Sequence, residues 1–264
     1  MIVVNQLGAQ RKRLADLTLK QRDELAEEIQ LAAEVQQKIL PRSIPTVPGF
    51  EFAARMYPAK IVAGDYYGFL QLPDEEIGLV IADVSGKGVA AGLLMPSIEV
   101  ALRMEAPRFP GTNDLLVSFN NIVHQITGED QFISLFYGKL RPETRSLKYT
   151  NAGHNPPLLI RGCQDPILLD KGGPVLGVLP GSGYESGQIN LQAGDVLVLF
   201  TDGVVEAQNP TGEEYSAKRL ARIVSSNLQQ SPGEVIETIH ASIVQFRETT
   251  VLADDLTLVV MKTL

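Results

Sequence analysis

From Phe50 onward the chain is built of short apolar runs, each stopped by Gly, Pro or Asp. That punctuation forces a fold of many short elements rather than a few long helices. Residues 50–57, 77–84, 131–140, 146–151, 157–161, 195–201 and 256–262 read as strands. Residues 89–105, 112–126, 216–228 and 232–246 carry Leu, Ile, Val, Met and Ala at helical spacing. Ser231 before Pro232 is a cap followed by proline at the first helical position. The helices fall in two pairs between groups of strands. Regular βαβ alternation is absent, so the expected class is α+β with mainly antiparallel sheet.

The first 40 residues differ. Between about Gln10 and Leu40 there is no Pro or Gly, and Glu, Gln, Lys and Arg abound. Leu25, Ile29, Ala32, Val35 and Ile39 recur at three- and four-residue steps, one apolar stripe on a helix; Leu14, Ala15 and Thr18 extend it weakly. Pro41 ends the run. At 1.5 Å per residue such a helix reaches ~45 Å. Its stripe requires cover, either from the following domain or from a second copy in a two-helix seam. The expected organisation is an N-terminal helical linker over 1–40, a candidate coiled coil and tail of an upstream sensor domain, and one domain over 41–264. Arg11, Lys12 and Arg13 read as a solvated helix face.

The formal charge of −8 argues against a dedicated nucleic-acid binder, which must neutralise phosphates. No apolar run reaches 18 residues, so no membrane span is expected. The start has neither the length nor the charge order of a signal peptide. Cys163 is the sole cysteine, which leaves neither an intrachain disulfide nor a cysteine zinc site. A cytoplasmic protein is the expectation.

Aspartates stand where the apolar runs end. Asp65 follows Gly64. Asp83 closes IGLVIAD, Asp202 closes VLVLFTD before Gly203, and Asp254 and Asp255 precede LTLVVM. Any one Asp-Gly of this kind is ordinarily a turn. Several at the ends of buried strands would be costly unless they share a cation. Carboxylates without cysteine, and nearly without histidine, select Mg²⁺ or Mn²⁺ over zinc. Four or five exceed the needs of one such ion, whereas two ions sharing a carboxylate suit in-line attack at phosphorus.

The segments LPRSIPTVPGFEFAARMYPAKIVAGDYYGF, IADVSGKGVAAGLLM, FYGKLRPETRSLKYTNAGHNPPLLI, LFTDGVVEAQNPTGEEY and DDLTLVV occur in that order. Together they resemble the metal-dependent protein phosphatases (PPM), in the branch of the stage II sporulation protein E phosphatase domain and the bacterial stress-response phosphatases. The resemblance spans roughly Ala33 to Leu264. It implies two antiparallel β-sheets sandwiched between helices, and two Mn²⁺ or Mg²⁺ ions activating a water. By the same resemblance Asp83 bridges the ions and the Val84 carbonyl binds one. Asp202 and Asp254 hold the other. Asp65 binds directly or through water, and Asp255 either orients Asp254 or binds itself. The implied substrate is phosphoserine or phosphothreonine on a phosphorylated regulatory protein, an anti-sigma-factor antagonist or similar small domain. A homodimer through the N-terminal helix is the further expected partner. The alternative is a catalytically weak interaction module of the same fold.

Two departures from the family pattern stand out. Where relatives commonly read DYYD, this chain has Asp65-Tyr66-Tyr67-Gly68. Where they commonly read SGHG, it has Ser85-Gly86-Lys87-Gly88. Lys87 would offer charge toward phosphate or leaving group in place of a histidine proton. His154, between Gly153 and Pro156, reads as structural, with Asn151 capping its turn. Residues 171–187 read as a mobile loop.

Overall fold

A computed structural model describes residues 2–38, 41, 43–86, 88–128, 131–248 and 251–264. Helix α1 (Ile2–Gln37) comes first. Strands β1 (Phe50–Tyr57), β2 (Asp65–Gln71) and β3 (Ile77–Val84) follow, then helices α2 (Val89–Glu105) and α3 (Thr112–Ile126). Next come β4 (Ile133–Arg141), β5 (Ser146–Ala152), β6 (Leu158–Ile160), β7 (Ile167–Leu168), β8 (Gly172–Gly173), β9 (Gly187–Asn190) and β10 (Val196–Phe200). Helices α4 (Asp202–Val205), α5 (Ala217–Ser225) and α6 (Pro232–Arg247) precede the last strand, β11 (Leu256–Thr263).

The strands form two sheets. One runs β1-β11-β10-β6-β7; the other runs β2-β3-β4-β5-β8, with β9 also on β5. Every pairing is antiparallel except β5–β8. The sheets pack face to face, Leu197, Leu199, Val259 and Met261 meeting Leu79, Ile81, Phe136 and Leu147. On the outside of the second sheet, Val80, Ala82, Leu135 and Tyr137 pack under Met95, Ile98, Leu115 and Phe119 of α2 and α3. On the outside of the first, Val198, Phe200, Leu258 and Val260 pack under Leu220, Val224, Ile236 and Ile239 of α5 and α6. This is the expected αββα sandwich. It explains why the central strands read as unbroken apolar runs: all of Val196–Phe200 is buried, because both faces of the strand are covered.

The helix ends at 89–105 and 112–126 fall where the spacing predicts. Ser231 caps α6 in a reciprocal box. Its N–H donates to Glu234 Oε2 at 2.8 Å, and its hydroxyl accepts from Glu234 N.

Two expectations are corrected. Strand β2, DYYGFLQ, was not anticipated, because its glycine and aspartate read as punctuation. Residues 171–187 are pinned rather than mobile. Leu176 is wholly buried and exchanges both backbone hydrogen bonds with Ile133. Asn120 takes Gly177 N–H and donates to the Leu179 carbonyl. Helix α1 rests on its own domain at its C-terminal end. Ala33 and Gln36 are buried, whereas Leu25 and Val35 are more than half exposed. Ile39 lies outside the described residues, as do the side chains of Arg11, Lys12 and Arg13.

No described helix is long and apolar enough to cross a membrane.

Candidate active site

Antiparallel pairing puts Asp65, first residue of β2, directly opposite Asp83 near the end of β3. Asp83 in turn faces Ser134 of β4. Asp65 is only 2 % exposed. Its Oδ2 accepts the Thr257 hydroxyl at 2.6 Å and the Thr201 hydroxyl at 2.7 Å. Those threonines begin β11 and follow β10, so one carboxylate ties both sheets together at this end.

Loss of solvent pushes the Asp65 carboxyl well above the usual carboxylate range. The Asp83 charge adds to that, the Thr257 and Thr201 hydroxyls oppose it, and Asp255 adds a smaller upward push. No cation figures among the influences on Asp65.

Asp255 has a different task. Its Oδ1 accepts Ala59 N–H and its Oδ2 accepts Gly64 N–H, each at 2.7 Å. Both oxygens are engaged in clamping the segment that leads into Asp65. Its own N–H donates to Asp254 Oδ1 at 3.0 Å, which orients the neighbouring carboxylate.

Gly64 and Gly203 allow close approach. A Cβ on Gly64 would come within 3.3 Å of the Val84 carbonyl oxygen and 3.6 Å of Asp83 Oδ1. The space between those two oxygens stays open because the side chain is missing. A Cβ on Gly203 would collide with the Asp255 carbonyl oxygen and lie 3.4 Å from the Asp254 carbonyl carbon. Residues 202–203, in the first turn of α4, are thus seated against 254–255. Gly203, Glu206, Arg247 and Asp254 line an adjacent cleft of about 260 Å³.

The five aspartates therefore come to one end of the sandwich, in two groups. Asp65 and Asp83 face each other, and residues 202–203 abut 254–255. The threonine hydroxyls and the Asp255 clamp connect them. Among the described residues no three His, Cys, Asp or Glu side chains converge tightly enough to make a ready-made metal cage. The donor set is oxygen throughout, Asp65 and Asp83 are set face to face, and the glycine at 64 adds no side chain beside Asp83 Oδ1 and the Val84 carbonyl. Those properties fit hard divalent cations. Lys87 lies outside the described residues.

His154 is buried behind this end. Asn151 Oδ1 accepts its N–H at 2.7 Å, Asn151 Nδ2 donates to its carbonyl, and its Nδ1 meets the Ser134 hydroxyl at 2.7 Å. Burial pulls its pKa down to about 4 against a weaker upward pull from the Phe200 backbone. It is a neutral structural residue, as its place in NAGHNPP suggests.

Residues 73–264 match the model of the stage II sporulation protein E family. The chain belongs to that family. Over 240 residues it is 31 % identical to the phosphoserine phosphatase RsbU of Bacillus subtilis, covering 90 % of this chain and 71 % of that protein. Among solved structures, the RsbU and RsbW domains of a Mycobacterium tuberculosis protein align with a TM-score of 0.71 at 26 % identity, over 85 % of this chain and 63 % of that one. The SiaA PP2C domain of Pseudomonas aeruginosa aligns at 0.81 and 17 % identity, over 91 % and 98 %. The chain is a phosphatase of the stage II sporulation protein E family with the PP2C fold.

Sequence reading missed Thr201 and Thr257. A threonine in an apolar strand reads as a β-former, and only the fold reveals that two of them share a carboxylate.

Proposed function

We propose that the chain hydrolyses phosphoserine or phosphothreonine on a phosphorylated regulatory protein, such as an anti-sigma-factor antagonist, using two Mg²⁺ or Mn²⁺ ions. The observation that carries this reading is the buried Asp65 facing Asp83, a carboxylate pair whose repulsion a cation would relieve. The likeness to RsbU, a phosphoserine phosphatase, supports the substrate class.

In this reading Asp83, the Val84 carbonyl, Asp202 and Asp254 would hold the ions. When bound, the ions supply Lewis acidity toward water and phosphoryl oxygens. The chain's own residues do the positioning. Thr201 and Thr257 fix Asp65 behind Asp83. Asp255 clamps the 59–64 segment and orients Asp254. Arg247 contributes a cation to the cleft wall beside Asp254. Lys87 is assigned to phosphate or leaving-group assistance on sequence alone. The N-terminal linker helix is assigned to homodimer contact.

The test is turnover of an aryl phosphate and of a phosphoserine protein with Mn²⁺, Mg²⁺ or chelator. Asp83→Asn and Asp202→Asn should each lower metal-dependent turnover by about 100-fold or more. They should also abolish the rise in unfolding temperature that Mn²⁺ gives the unaltered chain. Full activity in both variants would refute the assignment.

A further inference from the structure

The second sheet carries a cationic surface at the end remote from the aspartates. Ser134, opposite Asp83, and Lys139 are five residues apart on β4, ~17 Å at ~3.4 Å per residue. Beyond Lys139 a cavity of about 510 Å³ opens over the sheet. Register builds its floor. Lys139 of β4 lies opposite Lys148 of β5, and Lys148 opposite Gln188 of β9. In the next row Arg141 lies opposite Ser146, and Ser146 opposite Asn190. All six line the cavity. The cover given by α3 stops short of them. Its first residue, Thr112, meets the Thr150 hydroxyl at 2.8 Å, two residues before Lys148 is reached.

Two lysines directly across an antiparallel pair repel, and this happens in a chain with an excess of carboxylates. Among the described residues Glu76 is the one carboxylate that lines the cavity. It is already engaged: Oε1 accepts Arg141 Nε at 3.0 Å and Nη2 at 2.6 Å, and Oε2 pairs with Lys139 Nζ at 3.0 Å. Lys139 also donates to the Pro110 carbonyl. Three cations against one carboxylate leave the surface positive. Lys148 is exposed, and the Arg141 side chain is 52 % exposed. Hydroxyl and amide donors of Ser146, Gln188 and Asn190 lie beside them.

We propose that this corner docks an extended acidic peptide segment of a protein partner. Arg141 and Lys139 stand two residues apart on one strand face, ~6.8 Å, which is also the spacing of alternate side chains in an extended peptide. Lys148 lies one strand over from Lys139, so acidic groups over Arg141 and Lys148 would follow a path oblique to the strands, while the exposed amides of Gln188 and Asn190 take the peptide's main chain. A single small ion would use only part of the surface. Opposite charge would chiefly speed encounter and fix register. The site lies apart from the aspartates, and its readout is binding, so it stands or falls separately from the phosphatase reading.

The experiment titrates a labelled peptide of alternating Glu and Ser with the full chain, read by fluorescence anisotropy. Saturable binding is expected. It should weaken about tenfold or more in the Arg141→Glu, Lys148→Glu double variant. Raising ionic strength from about 0.02 M to about 0.2 M should weaken it as well. A Gln-for-Glu peptide should not bind. Lys148→Gln alone, at an exposed position, should give a smaller loss and covers the case in which the double variant fails to fold. No saturable binding, or equal binding by Lys148→Gln and the unaltered chain, would overturn the proposal. So would full displacement of the peptide by equimolar inorganic phosphate, which would mark a single-ion site.

Discussion

Asp65 is expensive where it stands: buried, facing one carboxylate and near another, and held by two hydroxyls. The sequence announces Asp65, Asp83, Asp202 and Asp254 because each interrupts apolar residues at a strand end. It does not announce what Asp255 does. Two adjacent aspartates are identical on paper, and only their distances to Ala59 and Gly64 tell the clamp from its neighbour. At Gly68 a Cβ would meet the Tyr66 hydroxyl, which packs over that position. His154 yields a prediction at this scale. Its folded pKa of about 4 lies below its ordinary 6.5. The unfolded chain therefore takes up a proton that the folded chain refuses as pH falls from about 6.5 to about 4. Stability is lost over that window, by at most on the order of 3 kcal/mol. Denaturant titrations across the window, with His154→Gln beside the unaltered chain, should show the slope diminished in the variant. Parallel pH profiles would exclude this role.

Among the elements, legibility followed length and periodicity. Helices α2 and α3 could be placed from spacing because each shows several turns of apolar residues to one partner layer. Strands β8 and β9 could not, because they are short and carry glycine, and their pairing with β5 is a tertiary fact. The 171–187 segment misleads for the same reason. Its Gly and Pro look loose, but Leu176 is anchored to β4 and the following turn to α3. The α6 cap was readable, since Ser-Pro before an apolar run has a local cause. Ser231→Ala should remove the hydroxyl half of the box, leaving the Ser231 N–H to Glu234 bond, and lower stability by ~1 kcal/mol. Urea unfolding checks it, and a midpoint unchanged from that of the unaltered chain would show the box to be idle.

For the molecule as a whole, the three-layer burial pattern makes the αββα sandwich the one way to cover every apolar face. Helix α1 is the exception. Gln36 seats it on the domain, its Nε2 donating to the Ala63 carbonyl at 2.7 Å and its Oε1 accepting Ala63 N–H at 3.0 Å. Leu25, Leu31 and Val35 are left outside. The seat was illegible in the sequence because a glutamine in a Gln- and Glu-rich helix looks like every other solvated residue. If the uncovered leucines form the two-helix seam, the chain should sediment as a dimer at micromolar concentration. Leu25→Glu with Leu31→Glu should then give a monomer with the domain still folded. A monomeric unaltered chain would dismiss the seam.

The pairing of β1 with β11 joins Phe50 to Thr263, and β11 is also the strand that lies between β1 and β10. During synthesis β1 therefore waits for β11, the last of the described strands, until more than two hundred further residues have been made. Asp255, just ahead of β11, arrives equally late to clasp Ala59 and Gly64. Contacts so distant along the chain form slowly. A nascent chain still lacking them has its early aspartates but no assembled acidic end, so translation itself sets the earliest moment at which this protein can act.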